Sequence, residues 1–108
     1  MSAPPLIPLV QDRQAQVAEL CRRNHARRLH LFGSATRVDF RPADSDLDFL
    51  VEFDTALPPT AYSDAIFALK TALELLFKRP VDLLTPEALR NPYLRQRVEA
   101  ERVLVYGA

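Results

Sequence analysis

A lone cysteine, Cys21, leaves this chain with no internal disulfide to form. Fourteen Lys and Arg offset fourteen Asp and Glu, so no overall positive field exists to hold a nucleic-acid backbone. No stretch approaches the roughly 20 apolar residues of a membrane span. The opening "MSAPPLIPLV" lacks both the basic start and the apolar run of a signal peptide, so the cytoplasm is the expected address. Glycine is scarce, with two in 108 residues. A glycine spent at position 33 therefore asks for a reason.

What is present suffices for a core. With 48% hydrophobic residues, the chain needs neither metal nor disulfide to fold, and its length suits one domain spanning 1–108. Pro4, Pro5 and Pro8 make residues 1–8 an extended lead-in. Val10, Val17, Leu20 and Cys21 recur at helical spacing from Leu9 to His25. Arg28 to Phe32 reads as a short strand ended by Gly33, and Ser34 caps a brief helix to Val38 before the turn "RPADS". "DLDFLVEFD" is the clearest strand, with Leu47, Phe49 and Val51 on one face and Asp46, Asp48, Leu50 and Glu52 on the other.

A helix is expected from Ala61 to Phe77, with Tyr62, Ile66, Leu69, Leu73 and Leu76 on one stripe. "RPVDLLT" follows as a third strand, Pro86 opens a helical turn, Tyr93 to Glu101 forms a closing helix, and "RVLVYG" is a terminal extended piece ending at Gly107. This alternation argues for one two-layer or three-layer α/β domain. Arg22, Arg23, Arg27 and Arg28 form a basic block, most simply a solvated face. His25 and His30 share no metal-ligand spacing with Cys21 and are read as structural or surface residues.

The chemistry lies in the acids. Asp46 and Asp48 sit two apart on a strand, so both carboxylates project from one face. Like charges held together repel, and a core has no use for them. A divalent cation resolves the conflict, and hard oxygen donors at this spacing suit Mg²⁺, which also takes phosphate oxygens. Asp82 is the lone acid of the third strand. Beside the second strand it completes a three-carboxylate face, able to hold two metals roughly 3.5–4 Å apart for phosphoryl transfer. Gly33 and Ser34, where a strand passes into a helix, offer backbone N–H groups to a phosphate, and Gly33 permits close approach. Arg37, one turn on, supplies positive charge for a leaving pyrophosphate. Taken singly, each feature has an ordinary reading: a strand-ending turn, an acidic turn or an edge residue. Their order along the chain is what points to a site.

Gly-Ser, about a dozen residues, Asp-x-Asp on a strand and an Asp on a later strand together resemble the polymerase beta-like nucleotidyltransferase superfamily. The short length and the tail "RPVDLLTPEALRNPYLRQRVEAERVLVYG" resemble the minimal nucleotidyltransferase (MNT) antitoxins that pair with HEPN-domain toxins. The resemblance runs from Arg28 to Tyr106 and implies an α/β fold with a short mixed three-stranded sheet flanked by helices. It implies Mg²⁺-dependent transfer of AMP from ATP to a hydroxyl, in the antitoxins a tyrosine of the cognate HEPN ribonuclease, which is thereby silenced. It assigns Asp46 and Asp48 as the metal-binding pair, Asp82 as the third carboxylate, binding the second metal and helping deprotonate the acceptor, and Gly33, Ser34 and Arg37 as the nucleotide-binding residues. The family commonly reads Gly-Ser-Arg-Ala-Arg-Gly, whereas this chain has Ala35 for the first arginine and Val38 for the second glycine. Fewer triphosphate contacts and a differently shaped loop are the expected consequences.

Two readings follow. In one the chain is an AMP transferase whose acceptor surface comes from its partner, since no residues remain for a second domain. In the other it is an antitoxin that neutralises by docking, using apolar residues of the closing segment such as Tyr93, Leu94 and Tyr106, unless these are core.

Overall fold

The computed structural model describes residues 6–33 and 46–107. The lead-in up to residue 5, the brief helix and turn read over residues 34–45, and the departures Ala35 and Val38 lie outside the described residues.

The N-terminal helix is divided. Helix α1 spans Pro8–Gln11 and α2 spans Gln14–Arg23. Asp12 is a weak helix former, and the Arg13 N–H closes on Val10 O at 3.1 Å, tightening the chain into a short turn where one continuous helix was expected. Val10, Val17 and Cys21 nevertheless all reach the core. Asn24 ends α2 by donating its side-chain amide to Leu20 O (2.8 Å), and His25, at φ 63°, turns the chain sharply into the first strand.

Strands β1 (Ala26–Phe32) and β2 (Leu47–Phe53) are antiparallel. Helix α3 (Tyr62–Phe77) then carries the chain over to β3 (Val81–Leu84), parallel to β2, the crossover that a parallel pair requires. Lys78, in the left-handed conformation at φ 56°, stops α3, and Glu74 reaches forward to accept the Val81 N–H at 3.0 Å. Helix α4 (Pro92–Glu101) follows a single turn at Pro86–Ala88, and β4 (Val103–Tyr106) pairs antiparallel with the far side of β1. Among the described residues the sheet order is β3-β2-β1-β4, four strands where three were expected. The terminal "VLVY" is not merely extended; the edge of β1 takes it up, and Gln14 ties it to α2 through a 2.9 Å bond to Val105 O.

The alternation in β2 sorts the molecule into two sides. Leu47, Phe49, Val51 and Phe53 join Leu29 and Leu31 of β1, Val81 and Leu83 of β3 and Val105 of β4 in the main core, beneath α2 and α3. Phe49 is fully buried and its ring lies 6.2 Å from that of Phe77, while Phe53 meets Tyr62 at 5.2 Å. Burial of one such ring contributes about 2–3 kcal/mol.

On the opposite face Leu50 and Phe32 make a smaller cluster with Leu89, Val98 and, at its edge, Leu84. Among the described residues, α4 and the turn before it cover this face. Val98 is the one buried residue of α4, so polar anchors hold the helix in place. Asn91 caps it by accepting from the N–H groups of Tyr93 (2.9 Å) and Leu94 (3.3 Å), and Arg95 bridges back to Leu89 O and Pro86 O, each at 3.1 Å.

The basic block is spent locally. Arg22 and Arg23 pair with Glu19, while Arg27 and Arg28 flank Glu52. Among the described residues no helix is long and apolar enough to cross a membrane.

Candidate active site

The face that holds this smaller cluster also carries the acids. In the parallel pair Asp48 and Asp82 are register partners, and in the antiparallel pair Asp48 is the partner of Phe32. Phe32, Asp48 and Asp82 thus form one row across three strands, and side chains paired in register project from the same side of a sheet. Neighbouring strands run about 4.8 Å apart, a span that one or two cations bridge. Asp46 lies just ahead of β2, two residues before Asp48, and is exposed, as is Asp82; Asp48 is half-buried.

Gly33 ends β1 beside this row, at φ 76°. A Cβ added there would run into Oδ2 of Asp48. Two constraints therefore favour glycine, a left-handed backbone and a carboxylate that occupies the space of a side chain. Ser34 and Arg37, the other expected phosphate ligands, lie outside the described residues.

The donor set suits a hard divalent ion, being oxygen-only and anionic. Among the described residues, however, no three His, Cys, Asp or Glu side chains are drawn together tightly enough to hold an ion as they stand.

The cleft beside the acids was not foreseen. Phe32, Gly33 and Asp48 form one wall, and Leu94, Arg97, Val98 and Glu101 of α4 form the other, around a volume of about 250 Å³. The signal was available in the sequence, because positions 94, 97, 98 and 101 recur at three- and four-residue intervals and so share one helix face. Of the apolar candidates for docking, Tyr93 is 77% exposed and Leu94 40% exposed, whereas Tyr106 packs against the main core.

Residues 14–105 match the nucleotidyltransferase domain family. The chain belongs to that family. A relative in Methanocaldococcus jannaschii, named "Putative protein adenylyltransferase MJ1379", is 33% identical over 75 residues, covering 69% of this nucleotidyltransferase and 72% of the relative. A solved structure described as a "putative minimal nucleotidyltransferase" superposes with a TM-score of 0.67 at 35% identity, covering 90% of this chain and 95% of that one. The fold also recurs in a chain from a complex of a tri-AMPylated Shewanella oneidensis HEPN toxin with an MNT antitoxin, with TM-score 0.62, 22% identity, and coverage of 92% and 73% respectively. A toxin–antitoxin structure with AMP-PNP gives TM-score 0.63, 23% identity, and coverage of 88% and 73%. The nucleotidyltransferase fold of this chain is thus an α/β mixed sheet flanked by helices, as expected.

Proposed function

We propose that this nucleotidyltransferase is an antitoxin that moves AMP from ATP onto a hydroxyl of a cognate HEPN-domain toxin in the cytoplasm, most simply a tyrosine, and so neutralises it. The observation carrying the reading is the placement of Asp48 beside Asp82, with Gly33 held against Asp48. The named relative and the toxin–antitoxin complexes that share the fold support the choice of adenylyl transfer and of a toxin acceptor.

In this reading the acceptor oxygen forms a bond to the α-phosphorus of ATP, the bond from that phosphorus to the β-phosphate bridging oxygen breaks, and pyrophosphate leaves with the electron pair. Asp82 is the exposed member of the row and accepts the hydroxyl proton. Gly33, with Ser34 and Arg37 after it, binds the triphosphate and fixes its direction through backbone N–H groups and positive charge. Asp46, Asp48 and Asp82 would hold Mg²⁺, which when bound supplies neutralisation of the phosphate charge. The exposed pair Tyr93 and Leu94, beside the cleft, is the surface against which the acceptor protein is seated.

That same exposed pair favours a second reading, in which docking alone neutralises the toxin. ATP labelled on the α-phosphate, incubated with Mg²⁺, this chain and its HEPN partner, separates the two. Label on the partner, lost in Asp46→Ala and Asp48→Ala, is the expected result. A tight complex that carries no label, indifferent to those substitutions, establishes docking instead.

A further inference from the structure

We infer that Arg97 of α4 is a triphosphate-binding residue, supplying from the opposite wall of the cleft a cation that the loop after Gly33 lacks. The inference rests on the transferase reading and adds a residue to it. Arg97 lines the same cleft as Gly33 and Asp48, although it lies 64 and 49 positions from them in sequence. Position 35, where the family commonly has arginine, is Ala35 here. An anion of three phosphates against an acidic row needs more than one positive group, and a guanidinium satisfies phosphate oxygens two at a time.

The ion pair that Arg97 makes is weak enough to be exchanged. Its Nη2 lies 3.9 Å from Glu101 Oε1, one turn along the helix, and its side chain is 65% exposed. Exposed pairs of this kind bind feebly because water screens them and two long side chains must be ordered. A phosphate offers shorter, charge-assisted contacts and wins the competition. Glu101, 22% exposed at its side chain, then serves as the resting partner that keeps the guanidinium at the cleft wall. Arg95, two residues away and so on a different side of α4, is held elsewhere, its Nε and Nη2 donating to Leu89 O and Pro86 O.

The test compares nucleotides that differ only in phosphate number. Titration calorimetry with AMP-PNP and with AMP, each with Mg²⁺, is run on the wild-type chain, Arg97→Ala, Arg97→Lys and Glu101→Gln, with circular dichroism to verify the fold. If the inference holds, Arg97→Ala weakens AMP-PNP about tenfold and AMP less than twofold. Arg97→Lys recovers part of the loss, because charge returns without the planar fork. Glu101→Gln tightens AMP-PNP by releasing the guanidinium, and it answers the question even if the alanine variant folds poorly. Equal weakening of both nucleotides, or no change in AMP-PNP affinity, overturns the role of Arg97 while leaving the transferase reading intact. A wild-type chain that binds no AMP-PNP overturns both.

Discussion

Gly33 stands against Asp48 so closely that a methyl group at position 33 would meet Oδ2 of that carboxylate. Replacing Gly33 with Ala forces either the carboxylate or the strand end to move, and it also sets a side chain at φ 76°. The left-handed backbone alone costs about 1–2 kcal/mol, which urea denaturation measures. Displacing a reacting group by about 1 Å lowers the rate by on the order of 10²-fold. Label transfer from ATP by Gly33→Ala should therefore fall much further than its stability; equal rates in variant and wild type would remove Gly33 from the site.

Asp82 beside Asp48 sets a conflict between function and stability. Like charges directly opposite on neighbouring strands are destabilising, by a few tenths to about 1 kcal/mol. Asp82→Asn should raise the urea midpoint slightly while reducing label transfer about 10²-fold or more. A residue kept only for folding would lose stability on substitution and keep its activity.

His30 predicts a pH dependence of folding. It lies in β1 opposite Leu50 on one side and Leu104 on the other, and its buried Nδ1 has no hydrogen-bond partner. Burial, then the positive charge of Arg102 and Arg28, holds its pKa below the ordinary value of 6.5 against the weaker pull of Glu52 and Glu99. The unfolded chain thus takes up a proton at a pH where the folded chain does not. The contribution of the neutral ring is intact above about pH 6.5 and declines as pH falls toward the lowered folded value. Urea midpoints at pH 7.5 and 5.5 should differ in that sense, and His30→Gln should shrink the difference.

Cys21 is fully buried in the main core, and burial pushes its thiol up to about 12. Little thiolate forms at neutral pH, so a disulfide reagent should label the native chain only as fast as it unfolds, and label it at once in urea. Rapid native labelling would show that α2 opens readily from the sheet.

Much of this architecture was readable in advance because it is local. The period-two pattern of β2 assigned Leu47, Phe49 and Val51 to the core and Asp48 to the other face, and the chain folds that way. Helix α3 ends at Phe77 as expected, since Arg79 and Pro80 leave no room to continue. The features that no local pattern carries are long-range. The recruitment of Val103–Tyr106 to β1 depends on an open strand edge that no local pattern announces. The division between α1 and α2 depends on one turn closing early at Arg13. Gly107 presents itself in the sequence as a simple chain end, yet at φ 104° a Cβ there would approach Arg27 O to 2.5 Å, so the strand pair requires a glycine. Arg97 and Glu101 were on one helix face in plain view, but only the docking of α4 by Val98 and its caps turns that face toward Asp48.

Because β2 serves the core with one set of alternate residues and the acidic row with the other, its length is as constrained as its composition. Point changes can be absorbed one position at a time. A single-codon insertion or deletion between Leu47 and Leu50 exchanges the two sides, sending a carboxylate under α3 and a phenyl ring into the water. Related chains should accordingly differ here by replacement and never by gaps, with length variation deferred to the connections on either side.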